Sequence, residues 1–415
     1  MGDQMLIRYS SDARGKAVQK ALIYTKEEHG IKKELIDPDA LRIISHLRNY
    51  GFEAYLVGGA VRDMLIGKTP KDFDLVTNAE PAKIKRLFRN SRIIGKRFRL
   101  VHIFFGETIY EVSTFRSLID GTTGNSFGTM DEDVQRRDFT LNALYYDPIK
   151  EQIVDYVGGV KDIRAHRLEP VIPLKNIFHD DPVRLLRAIK YAVSTGCAIP
   201  FMVRRAIRKS ASLLKPVSPS RLTEEIIKIL NSGKAYDIVR EALRFKIFIY
   251  LQPAANAMIR ENSKFALKYI ENLRKLDAFV AAGESQRLGH KLVFIITDLI
   301  NEIADWNGLP MDVYTTVYNE CRQFILPMNP PRVELEFAVR LCLKEGGLNI
   351  RLPRIRDPRK GPQEKEDGRH DERTNERTDG PEDRRDENHQ PGNGTRGSAR
   401  KRRKKKPLPP ISASN

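Results

Sequence analysis

Two aspartates separated by one residue, Asp72 and Asp74, are the side chains of this sequence best suited to chemistry. Side chains two residues apart in a strand point the same way, so the pair would share one face while Phe73 points into the core. Two neighbouring carboxylates repel each other, and a divalent cation relieves that repulsion. Mg²⁺ is commonly held by one or two carboxylates together with substrate phosphates. The pair therefore predicts a site for phosphoryl chemistry, although each aspartate alone would also suit a solvated strand end.

The elements before the pair are predicted to place a phosphate beside it. The apolar run 54–57 predicts a buried strand, which Gly58 and Gly59 interrupt, and residues 60–66 have helical spacing with Arg62 on the polar face. Two glycines let the backbone approach a phosphate closely, and the start of a helix offers free N–H groups. Alone the glycines would indicate a plain turn. Next to the two aspartates they favour a site for nucleotidyl transfer.

A glutamate further along the chain is a third candidate carboxylate. Residues 92–115 predict a β-hairpin with its turn at 106–107. In the second strand, Glu111 faces the opposite way from its apolar neighbours. It is therefore either a third metal ligand beside Asp72 and Asp74 or an ordinary exposed strand residue.

Two charged clusters follow. Residues 133–145 predict a helix whose charged end carries Arg136, Arg137 and Asp138. Guanidinium groups donate in a plane and so suit a triphosphate or an RNA backbone. The alternative is that this cluster is a solvated face.

The second cluster opens a predicted helix at Asp181, which would cap it with Pro182 in the first turn. Arg184, Arg187 and Lys190 follow at three-residue steps along one face. Asp181 and Arg184 are either a cap and a surface charge or a pair that hydrogen-bonds the edge of a base. A carboxylate accepts from an exocyclic amine, and a guanidinium donates to a ring nitrogen.

The composition points to a polyanionic partner. The 415 residues carry a formal charge of +18 and a pI of about 9.7, which favours nucleic acid first and an anionic membrane second. No apolar run approaches the roughly 18–20 residues of a membrane span, so no membrane association is expected. Three widely spaced cysteines, Cys197, Cys321 and Cys342, predict reduced core thiols of a cytoplasmic protein.

Composition and patterning divide the chain into five regions. Residues 1–36 are basic and weakly patterned and are expected to be an N-terminal extension. Residues 37–165 mix strands and helices, whereas 166–240 and 241–350 are predicted to be all-helical. From 351 to 415 the chain becomes highly charged and poor in apolar residues, which predicts a disordered tail.

The tail ends in a dense basic run. It consists of Arg400, Lys401, Arg402, Arg403, Lys404, Lys405 and Lys406. Such a run would bind RNA phosphates nonspecifically and with strong salt dependence. It would also suit a nuclear localisation sequence.

Taken in order, these motifs resemble those of the class II nucleotidyltransferases, a family that contains bacterial poly(A) polymerases and tRNA CCA-adding enzymes. The resemblance runs from about residue 37 to 230, and its motifs are 56–59, 62–63, 72–74, 136–140, 158–159 and 181–184. Within the family, segments 93–102 and 125–128 are more similar to poly(A) polymerases. The sequence departs from the family at Asp180, where Glu is common, at Lys190, where Arg is common, and in a short loop at 117–126.

The resemblance implies an α+β fold: a polymerase-β-like head domain over 37–165, a helical neck over 166–240 and a helical body over 241–350. It implies that Asp72 and Asp74 hold two Mg²⁺ ions and that the other motif residues bind the nucleotide. Gly58, Gly59 and Arg62 would hold the triphosphate, Arg137 and Asp138 would lie near the ribose and phosphates, and Asp181, Arg184 and Arg187 would select the base.

The activity expected from the resemblance is template-independent addition of AMP from ATP to RNA 3′ ends. The alternatives are CCA addition to tRNA and a catalytically silent RNA-binding protein of the same fold. The intact pair of aspartates argues against the silent protein. The RNA partner could be mRNA, small RNA or tRNA, any RNA-decay or RNA-chaperone partners stay open, and the bacterial character of the motifs favours the cytoplasm.

Overall fold

The structure, a computed structural model, describes residues 6–11, 17–95, 99–119, 121, 126–285 and 287–350. The predicted tail over 351–415, including the basic run at 400–406, lies outside the described residues. Strands occur only up to residue 155 of the described chain, and the part that follows is helical. The α+β head and the all-helical second half are therefore confirmed.

The described strands form one mixed sheet. They are β1 (Leu6–Ser11), β2 (Ala17–Tyr24), β3 (Ala54–Val57), β4 (Asp74–Thr77), β5 (Ser91–Ile94), β6 (Leu100–Phe105), β7 (Thr108–Thr114), β8 (Leu144–Asp147) and β9 (Gln152–Asp155). Their order across the sheet is β1-β2-β9-β8-β3-β4-β7-β6-β5. Only β4 and β7 run parallel among these neighbours.

Six short helices accompany the sheet. They are α1 (Lys26–His29), α2 (Pro38–Asn49), α3 (Gly59–Leu65), α4 (Pro81–Leu87), α5 (Met130–Gln135) and α6 (Gly159–Arg164). The sequence places α2 well, because Asp37 accepts from the Asp39 N–H at 2.8 Å and Pro38 occupies the first turn. The apolar stripe of α2, including Ile43 and Ile44, is fully buried in the main core.

The two faces of the sheet are covered unequally. Leu56, Leu75 and Val112 point to the main core, which also contains the apolar side of α2. Val57 and Val76 point the other way into a smaller cluster that includes residues of α5. Asp74 shares this second face with Val76, because strand side chains alternate, and it stays exposed. The second face is therefore where a substrate can reach the sheet.

The N-terminal segment differs from the expected extension. β1 and β2 continue the sheet, and β2 pairs with β9 so that Leu22 lies opposite Asp155 and Tyr24 opposite Ile153. Large apolar residues of this segment are adjacent, as with Leu6 and Ile7 or Leu22 and Ile23, so alternation is weak in the sequence. The partner strand β9 supplies the order that local patterning does not indicate.

Two other expectations were wrong in detail. The hairpin turn at 106–107 is confirmed, but the first predicted strand divides into β5 and β6, which pair with each other. The predicted helix over 133–145 ends at Gln135, and β8 follows a single 3₁₀ turn at Thr140–Asn142. One reason is that the Asp138 carboxylate accepts from the next N–H, of Phe139, at 2.8 Å, which competes with helical hydrogen bonding.

The second half consists of helices packed on one another. They are α7 (Ile177–Asp180), α8 (Arg184–Thr195), α9 (Phe201–Ser210), α10 (Pro219–Leu230), α11 (Ala235–Arg244), α12 (Phe248–Leu251), α13 (Pro253–Glu261), α14 (Ser263–Ala281), α15 (Leu288–Ile303), α16 (Pro310–Phe324) and α17 (Arg332–Glu345). The three cysteines are buried and unpaired, as predicted. Among the described residues no helix is both long and apolar enough to cross a bilayer.

Candidate active site

The two central carboxylates lie side by side at neighbouring strands. Asp74 begins β4 and is paired with Glu111 of the parallel strand β7, while Val57 lies opposite Asp74 on the other side. Adjacent strands are about 4.8 Å apart, so the two carboxylates share one face at close range. His102 of β6 completes this row, with its Nε2 atom 3.4 Å from Glu111 Oε1. Glu111 therefore lies beside the catalytic aspartates predicted from the sequence.

These carboxylates face a cleft of about 600 Å³ between the sheet and the first helices of the second half. Its arginines are Arg116, Arg136, Arg137, Arg184, Arg187 and Arg221. Its acidic residues are Asp74, Glu111, Asp133, Asp180 and Asp181. The cleft thus combines a carboxylate pair at one end with several guanidinium groups, the arrangement that a polyphosphate and a metal ion together would need.

The surroundings of Asp74 disfavour the charged form of its carboxyl group. Its side chain is open to solvent from the cleft, yet protein atoms surround it on its other sides. Desolvation, followed by the negative charges of Glu111 and Asp72, raises its pKa to about 6, against a smaller opposing effect of Arg137. A cation bound beside such a carboxylate stabilises its charged form.

The donor set fits magnesium. Asp72 is exposed and lies two residues before β4, which begins at Asp74 rather than at Asp72 as predicted. Half-buried Phe73 packs against the main core, as expected, whereas the shared orientation of Asp72 and Asp74 stays a prediction, because Asp72 lies outside the strand. Among the described residues no three acidic, histidine or cysteine side chains form a ready-made cage for a metal ion. Carboxylate oxygens with the remaining ligands from phosphate and water are the usual Mg²⁺ arrangement.

The turn at Gly58 and Gly59 lies directly against Asp74. Gly58 has φ +68° and ψ −129°, a conformation that side chains disfavour. A Cβ atom at Gly58 would stand 3.7 Å from Asp74 Oδ2. The turn therefore brings bare backbone next to the carboxylate, and α3 starts at Gly59, one residue before the predicted start at 60.

Arg62 lies at the edge of this arrangement and does not line the cleft. It donates to Asp63 at 2.9 Å and to the Asn142 side chain at 2.8 Å, and its guanidinium stacks 5.5 Å from the ring centre of Tyr191. These partners fix the guanidinium near the glycine turn. A triphosphate would meet an Arg62 that is already held in place.

Arg137 lines the cleft, whereas Asp138 lies behind its lining. Arg137 donates to the Tyr145 hydroxyl and to Asp133, each at 2.9 Å, and the same hydroxyl donates to Asp133 at 2.6 Å. The largely buried Asp138 carboxylate is 3.7 Å from Arg187 Nη1. Asp138 therefore acts on the cleft indirectly, by pairing with Arg187, which lines the cleft.

The proposed base-selecting residues meet at the start of α8. Asp181 accepts from the Val183 N–H at 3.2 Å, but α8 begins at Arg184 with Val183 as its cap residue, so the predicted cap at Asp181 was wrong. Arg184 is only 5% exposed and donates to the Ile177 carbonyl oxygen at 3.2 Å. Arg187 donates to Glu225 at 3.1 Å. The predicted basic stripe is therefore an internally bonded wall of the cleft and not a solvated surface.

Two residues of α10 were not predicted as part of the site. Both oxygens of Asp181 lie 2.9 Å from Arg221 Nη2. Glu225, one helical turn further on, is 3% exposed and accepts from Arg187 and from Lys190 at 2.7 Å. Burial opposes the charge on Glu225, but Lys190 and Arg187 outweigh it and lower its pKa to about 2.

Two family models match the chain. "Poly A polymerase head domain" matches residues 54–169, and "Probable RNA and SrmB-binding site of polymerase A" matches residues 198–259. Poly(A) polymerase I of Escherichia coli O6:H1 is 38% identical over 355 residues, which cover 78% of this chain and 76% of that protein. A CCA-adding enzyme of Lactobacillus helveticus is 36% identical over 198 residues, covering 46% of this chain and 49% of that protein.

A solved structure agrees on the fold. The Bacillus stearothermophilus CCA-adding enzyme in complex with CTP superposes with a TM-score of 0.50 at 24% identity, covering 75% of this chain and 83% of that chain. The strands that carry the paired carboxylates at the arginine-lined cleft lie within the residues that match the head-domain model. The chain belongs to the poly(A) polymerase family of nucleotidyltransferases, which confirms the resemblance found in the sequence.

Proposed function

We propose that this chain is a template-independent poly(A) polymerase that adds AMP from ATP to RNA 3′ ends. The observation that carries the proposal is the pairing of Asp74 with Glu111 at the floor of an arginine-lined cleft. Similarity to the Escherichia coli poly(A) polymerase I extends over more than three quarters of the chain. Similarity to the Lactobacillus CCA-adding enzyme covers less than half of it.

In the reaction, the RNA 3′ oxygen forms a bond to the α-phosphorus of ATP and pyrophosphate leaves. Gly58 and Gly59 allow the triphosphate to approach the backbone, and Arg137 supplies positive charge to it. Asp181 and Arg184 offer an acceptor and a donor to the edge of the base. Asp138 contributes by holding Arg187, and Glu225 holds the same arginine from the other side.

Asp72 and Asp74, with Glu111 beside them, would hold Mg²⁺. The bound ions would supply positive charge that lowers the pKa of the 3′ hydroxyl and stabilises the charge developing on the phosphate. The raised pKa of Asp74 supports this assignment, because its carboxylate lacks a neutralising partner of its own. Glu111 contacts His102, so it would have to give up this contact in order to bind a metal ion.

The test uses purified protein, Mg²⁺ and two labelled RNAs: an unstructured oligoadenylate and a tRNA that lacks its terminal CCA. Each RNA receives ATP alone, CTP alone or both. Long ladders on the oligoadenylate with ATP alone support poly(A) polymerase activity. Growth that needs CTP and stops after three nucleotides of tRNA would instead establish CCA addition. Binding of both RNAs without extension would leave the silent RNA-binding protein.

The proposed activity implies RNA partners. An RNA-binding region at residues 198–259 supports RNA as the partner, and mRNA, small RNA and tRNA ends are the proposed substrates. The basic run at 400–406 stays a prediction as an RNA-binding segment, since it lies outside the described residues. The cytoplasmic location also stays a prediction.

A further inference from the structure

A second cavity, of about 440 Å³, lies beside the C-terminal half of α8. We call it the α8–α11 cavity, because α8, the turn after it, α9 and α11 enclose it. Arg184 and Arg187 line the catalytic cleft, whereas Ile189 and Val193 of the same helix line the α8–α11 cavity. At 3.6 residues per turn these two pairs lie on roughly opposite sides of α8. The cavity is therefore a separate site.

The floor of the cavity is apolar and its rim is basic. Ile189, Val193, Ile199 and Phe245 form much of the floor. The rim carries Arg204 from α9 together with two arginines of α11. Asp237 and Glu241 also line the cavity, so its three arginines and two carboxylates leave one net positive charge. An apolar floor with guanidinium groups at its edge suits a planar base attached to a phosphate.

Arg204 has an unused donor. Its side chain is half-buried, and its Nε atom is inaccessible to solvent with no hydrogen-bond partner among the described residues. A buried donor without an acceptor is costly, and a charged donor more so. The other two arginines are exposed and form surface ion pairs: Arg240 with Asp237 at 3.1 Å and Arg244 with Glu241 at 3.4 Å. Exposed ion pairs contribute little free energy, so a phosphate can take the place of either carboxylate at low cost.

The rim continues into an exposed cluster of aromatic and basic side chains. Arg274 of α14 lies 4.5 Å from the ring centre of Tyr236 and donates to its hydroxyl at 3.1 Å. Arg240 approaches the same ring at 5.4 Å. Stacked guanidinium and aromatic groups next to a basic cavity are typical of surfaces that follow single-stranded nucleic acid.

We propose that the α8–α11 cavity binds one nucleotide of the single-stranded RNA substrate, upstream of the reacting 3′ end. Its base would enter the apolar floor, and its phosphate would accept from Arg204 and Arg244. The inference rests on the proposed function and deepens it, because similarity over residues 198–259 indicates RNA binding without defining a site. The cavity volume lies within the range of small-molecule sites.

The geometry sets a minimum length of RNA. Nine residues separate Arg184 from Val193, or about 14 Å along the helix, and the helix is about 10 Å across. The straight distance between the two sites is therefore about 17 Å, which is about five stacked nucleotides at roughly 3.4 Å each. The RNA must also pass around the helix, so a stacked strand needs more than five nucleotides to occupy both sites.

The experiment measures binding of fluorescent oligoadenylates of four and fifteen nucleotides by anisotropy, using the full chain without ATP. The test variant is Arg204→Ala with Arg244→Ala. The matched control is Arg205→Ala with Lys209→Ala, which removes the same charge from exposed positions of α9 that do not line the cavity. The test variant should weaken binding of the fifteen-mer about tenfold more than the control and leave the four-mer unchanged. The salt slope should fall by about 0.7 in the test variant, because one phosphate contact is lost.

A second variant separates the shape of the cavity from its charge. Ala198→Phe fills the rim at an exposed position without changing charge, and it should also weaken only the fifteen-mer. Equal losses in test and control pairs, or equal losses for both RNA lengths, would overturn the proposal. The proposal would also be overturned if free AMP displaced RNA from the wild type and the control pair but not from the test variant. The cavity would then be a site for a free mononucleotide. Because binding is measured without ATP, failure to extend RNA would refute the proposed function and leave this result standing.

Discussion

Glu225 provides the most direct test of how the site is held together. The substitution Glu225→Gln keeps the shape of the side chain and removes its charge, so Arg187 and Lys190 lose their shared partner. Glu225 is 3% exposed, so solvent screens these contacts little. A pKa lowered from 4.5 to about 2 corresponds to roughly 3 kcal/mol of folding free energy at neutral pH.

The sign of the pH dependence follows from the lowered pKa. The stabilisation is fully present above the unfolded value of 4.5 and is lost as the pH falls through the folded value of about 2. The deficit of Glu225→Gln should therefore be about 3 kcal/mol at pH 7 and about half as large at pH 3. Urea unfolding at a series of pH values measures it.

The matched control is Glu224→Gln, because Glu224 is the exposed neighbour of Glu225 on the same helix. It should change the free energy of unfolding by less than about 0.5 kcal/mol at every pH. Equal stability of the two variants at pH 7 would refute the argument. A deficit that does not shrink between pH 7 and pH 3 would refute it as well, because the contribution would then not come from the carboxylate charge.

Four further outcomes are expected. Asp74→Asn should lower kcat for AMP addition at least about a hundredfold while RNA binding by anisotropy is retained; near-normal extension would exclude Asp74 as a metal ligand. Because the pKa of Asp74 is raised to about 6, protons compete with Mg²⁺ below that pH, and the Mg²⁺ concentration for half-maximal rate should rise about tenfold per pH unit there and stay flat above pH 7. Arg221→Ala frees Asp181 and should raise the KM for ATP about tenfold with a smaller change in kcat, whereas Arg221→Lys should recover part of it; unchanged KM would show that the pairing is incidental. Gly159→Ala would place a Cβ atom 2.2 Å from the Thr140 carbonyl oxygen and should cost about 3 kcal/mol in urea unfolding, with wild-type stability as the contrary result.

The parts of the site that the sequence predicts well are those encoded within a few neighbouring residues. The strand at Ala54–Val57, the glycine turn and Asp74 form one local unit, and the structure places them as predicted. The helices Pro38–Asn49 and Pro219–Leu230 likewise begin at a local signal, since each has a proline in its first turn. Local chemistry and local structure coincide at these positions.

The parts that were missed depend on residues far apart in the chain. Arg221 meets Asp181 across 40 positions, and Glu225 meets Arg187 across 38, so no local spacing indicates either pairing. The one local signal in the sequence is that Arg221 and Glu225 lie one turn apart on an amphipathic helix. The predicted helix over 133–145 failed for a related reason: Asp138 bonds to its own neighbour and to Arg187 instead of following the helical pattern.

The position of α10 explains why the helical half matters to a site on the sheet. Arg221 and Glu225 bind Asp181 and Arg187, two of the residues proposed to select the base. The same helix receives a hydrogen bond from the Asn329 N–H to Thr223 Oγ1 at 2.9 Å, and its C-terminal Asn231 accepts from Lys291 at 2.5 Å. Burial of Lys291 lowers its pKa, so this contact is formed where water cannot replace it. A displacement of α10 by the helices behind it would therefore move both anchors of the nucleotide site together.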